Sequence, residues 1–186
     1  MCSPEEIIKT ARKMAELGLV LGSYGNVSCR QGDRVLITPT KLDYFAMEPE
    51  DIVTLDLTGK RLAGRREPSS EFRLHLAIYH AREEARAVVH AHGIYALALS
   101  LIASELPPIT EEMEHSLSGP VRVAPYAPAG SQALADRAAE LLRETGSRAL
   151  ILARHGIVSL GEDLEEALLA CRLVERGAQI YLLARK

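Results

Sequence analysis

Ile7, Ile8, Ala11, Met14 and Ala15, continued by Leu19, recur at the three- and four-residue spacing of one helix face. Ser3 stands before them as a cap, Pro4 takes the first helical position, and Glu5 and Glu6 put negative charge in the first turn. With Gly18 as a stop, the pattern predicts a helix over residues 4–17. The period then shortens. "GSYGNVSCRQGDRVLITPT" reads as a Gly-rich turn, a short strand, a turn at Gly32-Asp33 and a strand from Arg34 to Ile37. "DIVTLDLTGK" alternates apolar and polar residues like a further strand. "PSSE" (68–71) is a helix-start signal leading into "FRLHLAIYHAREE". The strand "AVVHAHG" follows at once, then a helical "YALALSLIASE", a short strand "VRVAPYA" and the amphipathic helix "SQALADRAAELLRETG". "RALILARHGIVSLG" holds two apolar runs split by His155-Gly156, which predicts strand, tight turn, strand. "DLEEALLACRLVERGAQIYLLARK" is a long last helix with a capping-box-like pair, Asp163 and Glu166.

Helices alternating with short strands predict an α/β fold whose central sheet is covered by helices on both faces. Several strand pairs are joined by turns too short for a parallel crossover, so the sheet should be mainly antiparallel. No repeat, low-complexity stretch or linker interrupts the chain, and 186 residues make a single domain, 1–186. At 47% hydrophobic and 25% charged residues the composition is that of a globular protein with a full core. A net charge of −3, no tryptophan, and only six tyrosines and two phenylalanines argue against nucleic acid and anionic membranes as partners. The apolar runs are far too short for a membrane span, and the N-terminal segment is charged and amphipathic, unlike a signal peptide. Three cysteines without a C-x-x-C spacing fit reduced thiols and a cytoplasmic protein.

The candidate chemistry starts at "VVHAH" (88–92). Alternate residues of a strand share a face, so His90 and His92 set two imidazoles side by side in an apolar run. Buried imidazoles need partners, and two on one face can hold a divalent metal. A packed, hydrogen-bonded role is the plainer alternative for any single strand histidine. Metal sites take three or four protein ligands. Glu71, at the first turn of the helix that runs into this strand, and His155, at the turn between two apolar strands, are the further candidates. Three imidazoles and one carboxylate suit zinc, and the donor set also admits manganese, cobalt or iron. His75, His80 and His115 read as surface or helix residues without direct chemistry. "GSYGN" (22–26) and "PSSE" offer backbone N–H groups and hydroxyls suited to an anion such as phosphate, although a turn and a helix cap would look the same.

"GNVS" (25–28), "ITPT" (37–40), "PSSE" (68–71), "VVHAH" (88–92) and "RHG" (154–156) occur in the order and spacing of the class II aldolase/adducin family. On these motifs the chain resembles that family over nearly its whole length, and most of all its L-fuculose-phosphate aldolases. The resemblance implies a three-layer α/β/α sandwich. It implies a zinc ion held by His90, His92 and His155, with Glu71 at the metal and acting as catalytic acid/base. Gly25, Asn26, Thr40, Ser69 and Ser70 match positions that hold the substrate phosphate. The implied reaction is cleavage of a ketose 1-phosphate, through a metal-stabilised enediolate, to dihydroxyacetone phosphate and a lactaldehyde-like aldehyde. Family aldolases are commonly cyclic homotetramers with active sites at subunit interfaces.

The match departs from the fuculose enzymes at several places. Lys41 stands where they have glycine, and a cation there would add to phosphate binding or reshape the pocket. Their tyrosine acid falls near Glu111, leaving Tyr24 or Tyr126 as substitutes. A C-terminal tail that carries another tyrosine in longer relatives has no counterpart before Lys186. "TEEMEHS" (110–116) resembles the methylthioribulose-phosphate dehydratases, in which a glutamate matching Glu112 is catalytic. A methylthioribulose-1-phosphate dehydratase or a pentulose-phosphate 4-epimerase is therefore the alternative, although those groups lack a glutamate matching Glu71. A non-catalytic adducin-like binding module is the remote one, since adducin heads lose the metal ligands.

Overall fold

The computed structural model describes residues 2–185, so Lys186 at the end of the expected last helix lies outside the described residues. Helix α1 (Pro4–Glu16) is capped by Ser3, whose side chain accepts from Glu6 N, and it buries the predicted stripe of Ile7, Ile8, Ala11 and Met14. Strands β1 (Asn26–Gln31), β2 (Arg34–Ile37), β3 (Val53–Asp56) and β4 (Arg61–Ala63) follow. Then come α2 (Phe72–Ala81), β5 (Ala87–Ala91), α3 (Ile94–Leu99), β6 (Glu105–Leu106), α4 (Glu111–Leu117) and β7 (Val121–Ala124). Helix α5 (Gln132–Thr145), β8 (Ala149–Leu152), β9 (Gly156–Gly161) and α6 (Leu164–Ala184) complete the described chain.

Nine strands form one mixed sheet in the order β4-β3-β2-β1-β5-β9-β8-β7-β6. Every pairing is antiparallel except β7 with β8, and the tight turns joining β1 to β2, β3 to β4 and β8 to β9 are too short for a parallel crossover. The period-two alternation divides the core. Val89, Ile151 and Ile157 pack with residues of α1, α3, α4 and α6, while Val88, Leu150 and Val158 pack with residues of α2 and α5. Strands buried at every position, such as β5 and β8, therefore read as continuous apolar runs.

The expected helix over "YALALSLIASE" stops at Leu99, and Glu105 belongs to β6. "TEEMEHS" folds as α4, with Thr110 Oγ1 accepting from Met113 N; only Met113 and Leu117 on it are buried, too few for a legible stripe. Of the expected capping box at α6, half is present. Asp163 accepts from Glu166 N, but the Glu166 carboxylate turns to Arg148 and to Glu162 N. The expectation of three reduced thiols is also corrected: Cys2 and Cys29 are joined, tying the chain before α1 to β1, and Cys171 is the free thiol. A count of cysteines is blind to a pair brought together by folding.

Candidate metal centre

His90 sits in β5 opposite Asn26 of β1 on one side and Val158 of β9 on the other. Its ring is buried, and Nδ1 donates to the carbonyl of Ile157 at 2.8 Å, which leaves Nε2 to face the site. His92 follows one residue beyond the strand, and its ring centroid lies 4.9 Å from that of His90. His155 comes from the turn between β8 and β9, with its ring 4.7 Å from His90 and 5.1 Å from His92. Gly156 keeps that turn against β5, since a Cβ there would collide with the Ala91 carbonyl. Glu71 occupies the cap position of α2 without capping it. Its side chain instead reaches the histidines, with Oε2 3.0 Å from His90 Nε2 and Oε1 3.4 Å from His155 Nε2.

One ligand atom from each of Glu71, His90, His92 and His155 lies within 4.8 Å of the others. Burial alone would raise the Glu71 carboxyl, but the charge and hydrogen bond of His90, then His155 and the Asn26 amide, hold it well below the usual carboxylate range. Burial would lower His90, yet the Glu71 carboxylate and the Ile157 carbonyl raise it. Burial and the neighbouring imidazoles push His92 down to about 3 and His155 down to about 4, so both are neutral, the form that ligates metal. Two buried atoms, Glu71 Oε1 and His155 Nδ1, have no hydrogen-bond partner among the described residues. An orphaned carboxylate oxygen among three converging imidazoles fits a bound cation, because buried polar atoms otherwise find partners. Three nitrogens and one oxygen suit zinc's ligand preference.

The segments expected to bind an anion meet beside this cluster. Thr40 N donates to the Glu67 carbonyl and Ser69 N to that of Thr38, so 38–40 and 67–69 run side by side. Ser69 is buried and its Oγ accepts from Glu71 N, whereas Ser70 is exposed. Gly25 approaches β5 so closely, at φ 89°, that a Cβ would lie 2.7 Å from the His90 carbonyl oxygen. That approach places Asn26 against the site, where Nδ2 donates to Glu71 Oε2 at 3.2 Å.

The sequence from residue 5 to residue 182 matches the family described as Class II Aldolase and Adducin N-terminal domain. The chain belongs to that family. Among its relatives, the L-fuculose phosphate aldolase of Haemophilus influenzae is 42% identical over 178 residues, 96% of this chain and 81% of that one. The 5-deoxy-D-ribulose 1-phosphate aldolase of Bacillus thuringiensis is 38% identical over 180 residues, 95% of this chain and 83% of that one. A solved L-fuculose 1-phosphate aldolase superposes with a TM-score of 0.92 at 37% identity, covering 98% of this chain and 85% of that one.

This class II aldolase places its accessory candidates unevenly. The exposed Tyr24 ring stands 5.8 Å from that of His92. Tyr126 lies instead under the Arg154 guanidinium, 4.7 Å away. Lys41 is exposed and holds a left-handed backbone, φ 57°. Glu112 is exposed in the first turn of α4, next to a small cavity of about 70 Å³ lined by Met113 and Arg176, and is not one of the converging ligands. His75, read as a surface or helix residue, lies on α2 rather than at the surface. It is fully buried, with Nε2 2.5 Å from Asn26 Oδ1 and Nδ1 2.6 Å from Ser28 Oγ. His80 and His115 are exposed, as expected.

Proposed function

We propose that this metal-dependent aldolase cleaves, and in reverse forms, a ketose 1-phosphate such as L-fuculose 1-phosphate, giving dihydroxyacetone phosphate and a lactaldehyde-like aldehyde. The observation that carries the reading is the convergence of Glu71, His90, His92 and His155 with one carboxylate oxygen unpartnered. His90, His92 and His155 would hold zinc, or manganese, cobalt or iron(II), one ion per subunit. Such an ion would supply, when bound, an electrophilic pull on the substrate's carbonyl oxygen that stabilises the charge left on the adjacent carbon when that carbon's bond to the hydroxyl-bearing carbon beyond it parts. Glu71 acts as acid/base: Asn26 holds Oε2, and Oε1, which could face a cation in the resting site, would take and return the proton that cleavage and synthesis require once it is turned to the substrate. Gly25, Asn26, Thr40, Ser69 and Ser70 receive the phosphate, with Lys41 adding charge; the adjoining backbones of 38–40 and 67–69 support that grouping. Tyr24, beside His92, is the better placed of the two tyrosines to serve the aldehyde end.

The two faces of the sheet, each with its own apolar cluster, support a three-layer α/β/α sandwich in one domain, 1–186. Exposed apolar side chains including Leu101 and Ile102 support burial in a homotetramer. No helix among the described residues is long and apolar enough to cross a membrane, and a charged sugar phosphate does not diffuse across one, so we place the enzyme in the cytoplasm.

The relative named for 5-deoxy-D-ribulose 1-phosphate supports a second substrate, a 5-deoxy pentulose phosphate. The dehydratase reading is carried by Glu112 and the epimerase reading by the bond-cleavage step it shares with aldolases, while the adducin-like reading is opposed by the four converging residues that could hold a metal. Fuculose 1-phosphate, ribulose 1-phosphate and 5-deoxyribulose 1-phosphate should be incubated with the enzyme and dihydroxyacetone phosphate assayed. Release from any of them, abolished by chelation and restored by zinc, is the expected result. Loss of water from methylthioribulose 1-phosphate without release from the others would replace it with the dehydratase.

A further inference from the structure

Between β1 and α2 five polar side chains form one buried chain. Tyr79 Oη lies 2.7 Å from Ser28 Oγ, Ser28 Oγ 2.6 Å from His75 Nδ1, His75 Nε2 2.5 Å from Asn26 Oδ1, and Asn26 Nδ2 3.2 Å from Glu71 Oε2. The direction of every hydrogen follows from one end. A carboxylate only accepts, so Asn26 must present its NH2 to Glu71 and its carbonyl to His75. An amide carbonyl also only accepts, so His75 must carry its hydrogen on Nε2. A neutral ring with Nε2–H accepts at Nδ1, so Ser28 donates there and in turn accepts from Tyr79. Burial holds the imidazole neutral, at about 3, which keeps Nδ1 an acceptor.

We propose that His75 is a positioning residue for Glu71: its Nε2–H donates to Asn26 Oδ1 while Ser28 satisfies Nδ1, and it thereby holds the Asn26 amide with Nδ2 facing the carboxylate. The two ends of an amide have nearly the same shape, and only their partners distinguish them. Without His75, Asn26 Oδ1 loses its donor and the amide is restrained from the Glu71 side alone, so Nδ2 can swing out of line with the carboxylate and weaken a charge-assisted hydrogen bond. The same arrangement restrains Oε2 and leaves Oε1 without a hydrogen bond. The effect on turnover rests on the acid/base role proposed for Glu71; the orientation of the amide does not.

The test has two arms on the full-length, zinc-loaded enzyme. Nitrogen NMR of the histidine rings, with His75 assigned by its loss in His75→Gln, should show an Nε2–H tautomer that stays neutral as pH falls to about 5. An Nδ1–H tautomer or an imidazolium at His75 would overturn the proposal, whatever substrate the enzyme uses. In kinetics, His75→Leu should lower kcat roughly 10- to 100-fold, the factor for one donor to a charged group, with zinc content unchanged. His75→Gln, whose amide can donate to Asn26, should recover most of that loss. Equal impairment of the two variants would reduce His75 to packing, and equal activity with wild type would remove it from the site. If His75→Leu does not fold, Ser28→Ala is read by NMR: the ring should keep its Nε2–H, because Asn26 Oδ1 still accepts it, and a switch to Nδ1–H would refute the assignment.

Discussion

Glu71→Gln separates the chemistry of the carboxylate from its place in the fold. Glutamine has the same shape, and its amide oxygen can accept from Asn26 Nδ2, which lies 3.2 Å from Glu71 Oε2. In the metal-free site its NH2 can then donate toward a neutral imidazole, since His155 Nε2 lies 3.4 Å from Oε1. No buried atom gains an unmet hydrogen bond. The variant loses a charge-assisted pair with His90 but also escapes the cost of burying a carboxylate. These terms oppose one another, so the net change in unfolding free energy should be below about 2 kcal/mol. Zinc should remain, because His90, His92 and His155 suffice as ligands. Turnover should fall by about 10² to 10⁴, the range for loss of a positioned acid/base, or about 3–5 kcal/mol of barrier. Metal analysis, thermal melting and dihydroxyacetone phosphate release on one preparation measure all three. Full turnover would remove Glu71 from the mechanism, and zinc loss as severe as in His92→Ala would make it chiefly a ligand.

Other consequences are open to measurement. Zinc affinity should weaken on acidification. His90 is raised above its ordinary value, so below that pKa a proton must leave for the metal to bind, giving up to about tenfold per pH unit; a flat titration would contradict the assignment. Lys41→Gly should stabilise the protein by about 0.5–1 kcal/mol, since a left-handed backbone costs a lysine more than a glycine, and should raise KM if the cation meets the phosphate. Denaturant titration and initial rates read the two effects separately. Cys2→Ser should cost about 3.5 kcal/mol, the chain-entropy value for a link spanning 27 residues, and a reductant should lower the melting temperature of wild type but not of the variant.

The four ligand residues were legible because each broke a pattern. His90 and His92 interrupt an apolar run, His155 splits two more, and Glu71 closes a helix-start signal. His75 was less visible. It lies between Leu74 and Leu76 on a helix with half of its positions buried, so the spacing shows where it points and nothing of what it meets. Its partners, Ser28 and Asn26, are 47 and 49 residues away and arrive only through the sheet. Strand β4 is exposed at every position, which removes the alternation that marks a strand. The Cys2–Cys29 link and the separation of Glu112 from the ligand cluster likewise depend on contacts between elements, which residue order does not encode locally.

A signal for the buried chain was nevertheless present, in the meshing of two periods. Glu71, His75 and Tyr79 are four residues apart, one stripe along α2 and its cap; Asn26 and Ser28 are two apart, one face of β1. Four helical residues rise about 6 Å and two strand residues about 6.6 Å, so the two rows stay in step. Asn26 can therefore touch both Glu71 and His75, and Ser28 both His75 and Tyr79. The intervening Val27 and the following Cys29 point the other way, into the cluster that contains α1. A one-residue slip of β1 would send Asn26 and Ser28 into that apolar layer and bring Val27 and Cys29 against Glu71 and His75. The alternation that buries the core is thus the same constraint that delivers Asn26 to Glu71, and neither can shift without the other.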